Sequence, residues 1–478
     1  METITWLSVL PPVITIALAM WSKKVLPSLL LGLLVGSYLL NPSIVGGLEV
    51  AIENILKILS DTSNLQVLLF LYLFNGLITL IKNAGGIKAF SSWLGKYIKS
   101  DRGVFYTLWA LIPVTFIDCD FRIVGAGSIM RSLAEKNKIV KERLAFMLNN
   151  TASPVLELIP IATTFVGFNI ANISQGLESA GVLEEQSAYS VLLQAIPFEF
   201  YSIVVLLITF STIFFQWRKQ ASGKQSEHHH KETADEMNMS MGDEKPQIKP
   251  RIINLIVPML TVVSLSFFFF WYFGRGENGV NETIASIISA TDPNMAMLLA
   301  LSISIFITGL LYAFQKYPLK KMTEDMISGG NELMRILIIL VIAWALGDVS
   351  QELGLSDFIQ QLLGNQLPIW SIPVALFLIS SLVTYFIGEG WATASLIMPF
   401  AIFIAVSSGV SIPICVAAVI TGGTFGDTTS PVAGMTNMAS GVTGADHMKY
   451  LKYANPYNFA SAGIAAVLFL IAGFFYSQ

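Results

Sequence analysis

Ten apolar runs of near-membrane length punctuate this chain, at 4–21, 25–40, 64–82, 142–170, 187–216, 252–273, 293–314, 332–350, 411–442 and 456–477. A helix needs about 20 apolar residues to cross the hydrocarbon of a bilayer. Lipid offers no partner for backbone N–H and C=O groups, so runs this long must satisfy them internally, as helices do. Hydrophobic residues make up 54% of the 478 and charged residues 13%, whereas soluble domains carry about 25% charged residues. An all-α polytopic membrane protein is therefore expected, with the lipid bilayer as its first partner. Cys119 and Cys415, the two cysteines, lie in apolar surroundings, which speaks against a disulfide framework or a zinc site. Glu2 precedes the first run and Lys23-Lys24 follow it, the reverse of a cleavable signal peptide. The first run is expected to stay as a membrane helix.

Two further apolar stretches, 103–131 and 368–409, are broken by acidic residues. Positive charge sets their path, because Lys and Arg collect on the cytoplasmic side. With both termini outside, all 28 Lys and Arg except Lys57, Arg275, Arg122 and Arg335 fall in cytoplasmic segments. Both flanks of 103–131 are then cytoplasmic, so this stretch enters and returns as a hairpin with its tip near Asp118–Arg122. The flanks of 368–409, at 351–367 and 410–412, contain no Lys or Arg, so it re-enters from outside. The hydrophilic segment 217–251, with His228-His229-His230, reads as a solvated cytoplasmic linker rather than a metal-responsive tether; its composition cannot bury enough apolar area to fold.

The linker divides the chain into a first repeat, 1–216, and a second, 252–478. Gly85 aligns with Gly354, Trp93-Leu94-Gly95 with Leu362-Leu363-Gly364, and Phe116-Ile117 with Phe386-Ile387. Each half contributes five full spans and one re-entrant hairpin, and five is odd, so the second copy is inverted. Inverted repeats meeting at the midplane are a recurring transporter design.

The same alignment pairs polar motifs inside apolar sequence. Phe116-Ile117-Asp118-Cys119-Asp120 is followed by Asn150-Thr151-Ala152-Ser153-Pro154; Phe386-Ile387-Gly388-Glu389-Gly390 is followed by Asp427-Thr428-Thr429-Ser430-Pro431. A helix entering at Lys141 reaches Thr151 after about 15 Å, near the bilayer midplane. Proline there removes a helical hydrogen bond, and irregular backbone at that depth survives only inside protein or along a cavity. Carbonyls and hydroxyls of Thr151, Ser153, Thr428, Thr429 and Ser430 can then face a cation. A charge at the bilayer centre costs about 2.5–3.5 kcal/mol, so Asp118, Asp120, Glu389 and Asp427 need a partner, a proton or an ion. Burial favours the protonated form of a carboxyl and a bound cation the ionised one, a sufficient basis for taking Na+ and H+ in turn. Arg122 either neutralises the acids beside it or grips a substrate carboxylate, to which a guanidinium fork is suited. Glu157 can join a proton path, and Glu199 reads as locally paired. Arg335 and Asp348 are expected to snorkel from the ends of their span. His447 reads as interfacial, with pH sensing as the alternative.

The Phe-Ile-Asp hairpin, Arg131-x-Leu, Thr-Ala-Ser-Pro and the late Gly-Asp-Thr-Thr-Ser-Pro run at 426–431 together resemble NhaC-type sodium/proton antiporters of the ion-transporter superfamily. The resemblance implies secondary transport, with an elevator motion of hairpins and broken helices against a scaffold domain, in a plasma membrane, as a homodimer. It also implies that Asp118, Thr151, Ser153, Glu389, Asp427, Thr428 and Ser430 line the site, with Asp118, Glu389 and Asp427 binding Na+. Cys119-Asp120-Phe121-Arg122 is more cationic than that pattern, which keeps a second reading open: Na+- or H+-coupled transport of a small organic anion or amino acid held by Arg122. No P-loop, nucleophile–base pair or sizeable cytosolic domain is evident, so neither an enzyme nor an ATP-driven pump is expected. No nucleic-acid partner is expected, and no cofactor beyond Na+ and H+ as transported or coupling ions.

Overall fold

The computed structural model of the chain describes residues 6–86, 88–90, 101–116, 118–136, 139–161, 163–183, 186–214, 247–275, 293–355, 358 and 368–476. Every regular element among the described residues is helical. Eight helices are long and apolar enough to cross a membrane, or up to ten if each of two bent pairs counts as one span. Most of the 217–251 linker, including His228–His230, lies outside the described residues, as do Trp93-Leu94-Gly95 and Leu362-Leu363-Gly364.

In the first half, α1 (Leu10–Ser22) and α2 (Val25–Leu40) are followed by α3 (Ile44–Ser60), amphipathic and turned 119° from α2. Ser43 caps α3 by accepting from the Gly46 amide at 3.0 Å. The helix α4 (Thr62–Asn83) leads to a hairpin of α5 (Asp101–Ala110), a single turn Ile112–Thr115, and α6 (Cys119–Lys136). The arms of this hairpin pack on one another.

The run 142–170 is not one helix. It divides into α7 (Lys141–Asn150), α8 (Ser153–Glu157) and, after an irregular stretch, α9 (Thr164–Ser179). Pro154 sits in the first turn of α8, where its missing N–H costs nothing, so the helix stops before it and restarts through it. Thr163 caps α9 through a 3.1 Å bond from the Val166 amide. Next come α10 (Ala188–Ala195) and α11 (Phe200–Ser211), a span bent by 44° at Glu199, just after Pro197.

The second half runs α12 (Ile253–Gly274), α13 (Pro293–Phe314), an amphipathic α14 (Leu319–Glu332) and α15 (Met334–Glu352). A second hairpin is built from α16 (Ile372–Ile387) and α17 (Gly390–Ser408). Then α18 (Ile412–Thr429) is interrupted at Ser430–Ala433, α19 (Gly434–Thr443) resumes, and α20 (His447–Tyr476) ends the described chain. Phe267, Phe268 and Trp271 on α12 are exposed, as expected of a lipid-facing surface.

The centre of the molecule is α18, every residue of which is buried. Its glycine face allows this. A Cβ at Gly426 would collide with the Thr384 side chain, and one at Gly422 would lie 2.8 Å from the Phe377 carbonyl oxygen. Small residues let helix backbones approach closely where no hydrophobic drive exists between them, and α16 packs against α18 more extensively than any other pair.

Candidate functional site

Two hairpin tips and two helix breaks converge beside α18. At the first tip, Asp118 opens α6 by accepting from the Asp120 amide at 2.9 Å, and its other oxygen accepts from Thr164 at the start of α9 (3.4 Å). Cys119 Sγ lies 3.4 Å from Ser153 Oγ. The first tip therefore rests on both ends of the first broken region. Asp118 sits among the free amides at helix N-termini, where a negative charge is favoured.

The second tip is arranged in parallel. Gly388 closes α16 with φ +81°, a conformation costly for any residue with a Cβ, and a Cβ there would meet the Val432 backbone at 2.8 Å. Ser430 Oγ donates to the Tyr385 carbonyl at 2.6 Å, so Ser430, like Ser153, meets the hairpin of its own half. Asp427 Oδ1 accepts from the Gly390 amide at 2.9 Å, at the N-terminus of α17. No hydrogen bond to Asp427 Oδ2 is found among the described residues. Trp391, the next residue, packs on Phe165 and Phe168 of α9 with ring centroids 6.0 and 4.4 Å apart. The N-terminus of α9 thus carries Thr164 against Asp118 and Phe165 against the second tip. The charges of Asp118, Asp120 and Asp427 are within electrostatic reach of one another.

Four asparagines join the two breaks. Asn149 donates to the Thr428 carbonyl (3.4 Å) and to Tyr450 (2.8 Å); Asn458 donates to the same Thr428 carbonyl (2.9 Å) and accepts from Asn150 (2.7 Å). Asn455 donates to the Thr429 carbonyl (3.2 Å). Tyr201 reaches Thr428 Oγ1 at 2.5 Å, and since that hydroxyl donates to the Thr424 carbonyl (3.0 Å), Tyr201 is the donor. The backbone freed at the second break is largely capped by amide side chains: the Thr428 carbonyl accepts from two of them, which uses both its lone pairs, and the Thr429 carbonyl from one.

Arg122 is fully buried, and no acid touches it among the described residues. Its guanidinium donates to Thr115 Oγ1 (2.7 Å), Thr151 Oγ1 (2.7 Å) and the Leu108 carbonyl (3.3 Å), while Nε has no partner. The expected neutralisation by Asp118 or Asp120 is not seen. Residues two apart on a helix do not face each other, Asp118 is engaged by the Asp120 amide and the Thr164 hydroxyl, and the Asp120 side chain is exposed. Arg335 pairs with Glu389 at 2.9 Å, tying α15 to the second tip. Asp348 likewise pairs with Lys57 (2.9 Å) and accepts from Gln175 (3.0 Å). His447 is half-buried, with Nε2 3.0 Å from the Pro431 carbonyl and Nδ1 3.0 Å from Ser440 Oγ. A carbonyl only accepts, so Nε2 carries the hydrogen, and this ring braces the second break. Glu157 accepts from Ser202, and the Glu199 carboxyl has no hydrogen-bond partner among the described residues; the local pairing expected for Glu199 is absent. Asn149, Asn458, Tyr201 and Ser202 were not among the residues expected from sequence. Asn149-Asn150 directly before the Thr-Ala-Ser-Pro motif was the available signal for the first pair.

A sequence family described as the Na+/H+ antiporter family matches residues 163–474, well over half of the chain, including the second hairpin and the second break and beginning after the first break. The chain belongs to the Na+/H+ antiporter family. As a member it is a secondary transporter with multiple membrane helices, and its neighbours are transporters rather than enzymes. An uncharacterized protein of Haemophilus influenzae is 24% identical over 480 aligned residues, covering 98% of this chain and 91% of that one. The malate-2H(+)/Na(+)-lactate antiporter of Bacillus subtilis is 27% identical over 192 residues, covering 38% of this chain and 39% of that protein. The YdaH transporter of Alcanivorax borkumensis shares the fold, with TM-score 0.56, 13% identity, and coverage of 89% and 88% of the two chains.

Proposed function

We propose that this family member exchanges Na+ for H+ at Asp427. The observation that carries the reading is the geometry of one carboxyl group: Oδ1 is fixed by the Gly390 amide at the second hairpin tip, and Oδ2 has no hydrogen-bond partner among the described residues. A fixed oxygen orients the group, and the other can take either a cation or a proton. The two occupants exclude each other because each neutralises the same charge. Asp118 is the further Na+-binding acid in this reading, Glu389 being engaged by Arg335, and the hydroxyls of Ser153, Thr428, Thr429 and Ser430 are its oxygen donors, that of Thr151 being engaged by Arg122.

The recurring element order supports an inverted repeat. Each half runs through two helices, an amphipathic helix, a further helix, a hairpin, a broken helix and a last span. Hairpins and broken helices packed as one body on α18 suit an elevator motion against the remaining helices. In proteoliposomes, ΔpH-driven Na+ flux is expected to vanish in Asp427→Asn; normal flux in that variant removes Asp427 from the mechanism.

One observation favours a second reading, coupled transport of a small organic anion. Arg122 is buried without an acidic partner among the described residues, its fork held only by hydroxyls and a carbonyl that a carboxylate can displace. The partly matching Bacillus relative, named for malate and lactate, points the same way. Arg122→Gln separates the readings: loss of organic-acid uptake with Na+ exchange intact supports the anion, and loss of neither dismisses it.

A further inference from the structure

The bend at Glu199 encloses a second acidic site, away from both hairpin tips. Glu199 is fully buried, and neither of its carboxyl oxygens has a hydrogen-bond partner among the described residues. It occupies the N-cap position of α11 yet makes no side-chain cap bond, so helix capping does not explain it. Ser202 lies one turn further along, on the same face as Glu199, and donates its hydroxyl to Glu157 Oε2. Glu157 closes α8, is also buried, and leaves Oε1 without a partner. The two carboxyl groups interact electrostatically, and no Lys, Arg or His side chain bonds to either among the described residues. Around them, α18 contributes Asp427 and α11 contributes Tyr201, whose hydroxyl is committed to Thr428.

We infer that Glu157 and Glu199 form a buried acid pair that holds an exchangeable proton, with Ser202 fixing the Glu157 end. An isolated buried carboxylate is strongly disfavoured unless it is paired or neutralised, and here the partner of each acid is another acid. Two carboxyl groups that cannot both ionise give up at most one of their two protons, so release leaves a single charge on the pair. A hard cation gathers roughly six or more oxygens, whereas three unpartnered oxygens, all carboxyl, are present here, and no group of three or more His, Cys, Asp or Glu suited to a metal occurs among the described residues. The proton is therefore the occupant. The two carboxyl groups belong to α8, next to the first break, and to the bend that opens α11, so the proton's arrival or departure acts on two interrupted helices together. When it leaves, the remaining charge is stabilised by the Ser202 hydroxyl and the free amides that open α11.

This rests on the proton-coupled reading above, but its test does not need transport. The full-length protein in nanodiscs would be titrated in D2O while the infrared carbonyl stretch of protonated carboxyl groups is followed. Wild type is expected to lose a buried-acid band as pH rises, and Glu157→Gln and Glu199→Gln each to remove or displace that band. Ser202→Ala keeps both acids, so it guards against misfolding of the glutamine variants. It should move the midpoint by about one pH unit or more, the worth of a hydrogen bond to a charged group. A wild-type band and midpoint in all three variants overturns the pair. Absence of any Na+- or H+-coupled flux in wild-type proteoliposomes would instead sink the functional reading and leave the infrared result standing.

Discussion

Single residues at this site are constrained from two sides at once. Gly426 illustrates the steric side. Its missing side chain is what admits Thr384 of the second hairpin, and overpacking a tight interior costs about 1–3 kcal/mol or more. Gly426→Val is expected to lower the melting temperature in detergent well below that of Gly463→Val, at a position where a Cβ meets nothing within 4 Å. Arg122 illustrates the electrostatic side, and it also marks a limit of reading residues from their neighbours in sequence. Asp118 and Asp120 flank it closely, yet one is taken by an amide and a hydroxyl and the other is exposed, while the guanidinium turns back to Thr115 and across to Thr151. Helix geometry decided that outcome, and adjacency in the chain carries no information about it.

Elements were legible in proportion to how local their cause is. Apolar runs and proline positions announced the long helices and the two Ser-Pro interruptions, because each depends on a few consecutive residues; the stretch 368–409, expected to re-enter, instead holds two helices each long enough to cross a membrane. The bend at Glu199 followed from Pro197 but was hidden inside an unbroken apolar run. The asparagine bridge between the breaks was out of reach for a different reason. Asn150 and Asn458 lie in opposite halves of the sequence, and a buried amide leaves no periodic trace. Their bond predicts a sharp asymmetry between two substitutions. Asn458→Asp keeps the acceptor for Asn150 but loses the donor to the Thr428 carbonyl and adds a buried charge; Asn458→Ala loses both contacts without adding one. Each orphaned polar group costs about 1–3 kcal/mol, and more when charged. Thermal unfolding in detergent should therefore rank wild type above Asn458→Ala and Asn458→Asp lowest.

At the scale of the whole molecule, the Arg335–Glu389 pair is the visible tie between α15 and the second hairpin tip. An elevator motion has to break it. With Arg335→Cys and Glu389→Cys combined, a short bifunctional thiol reagent is expected to arrest flux in proteoliposomes, and a reducible version to restore it on reduction. Cys119 and Cys415 are buried, so the introduced pair reacts against a quiet background. Undiminished flux after complete cross-linking would mean that α15 and this tip travel together.

The enclosure of α18 has a consequence for how the protein comes apart. Amides open to deuterium with free energies that run from near zero at frayed ends to the full unfolding energy in the core. A helix with no exposed residue from Ile412 to Thr429 belongs at the slow end of that scale, although it stops at a break and bears Asp427. Peptides from 412–429 should be the last to label, later than those of the exposed α12. The proposed exchange site would then be the most kinetically durable part of the chain, outlasting the framework that surrounds it.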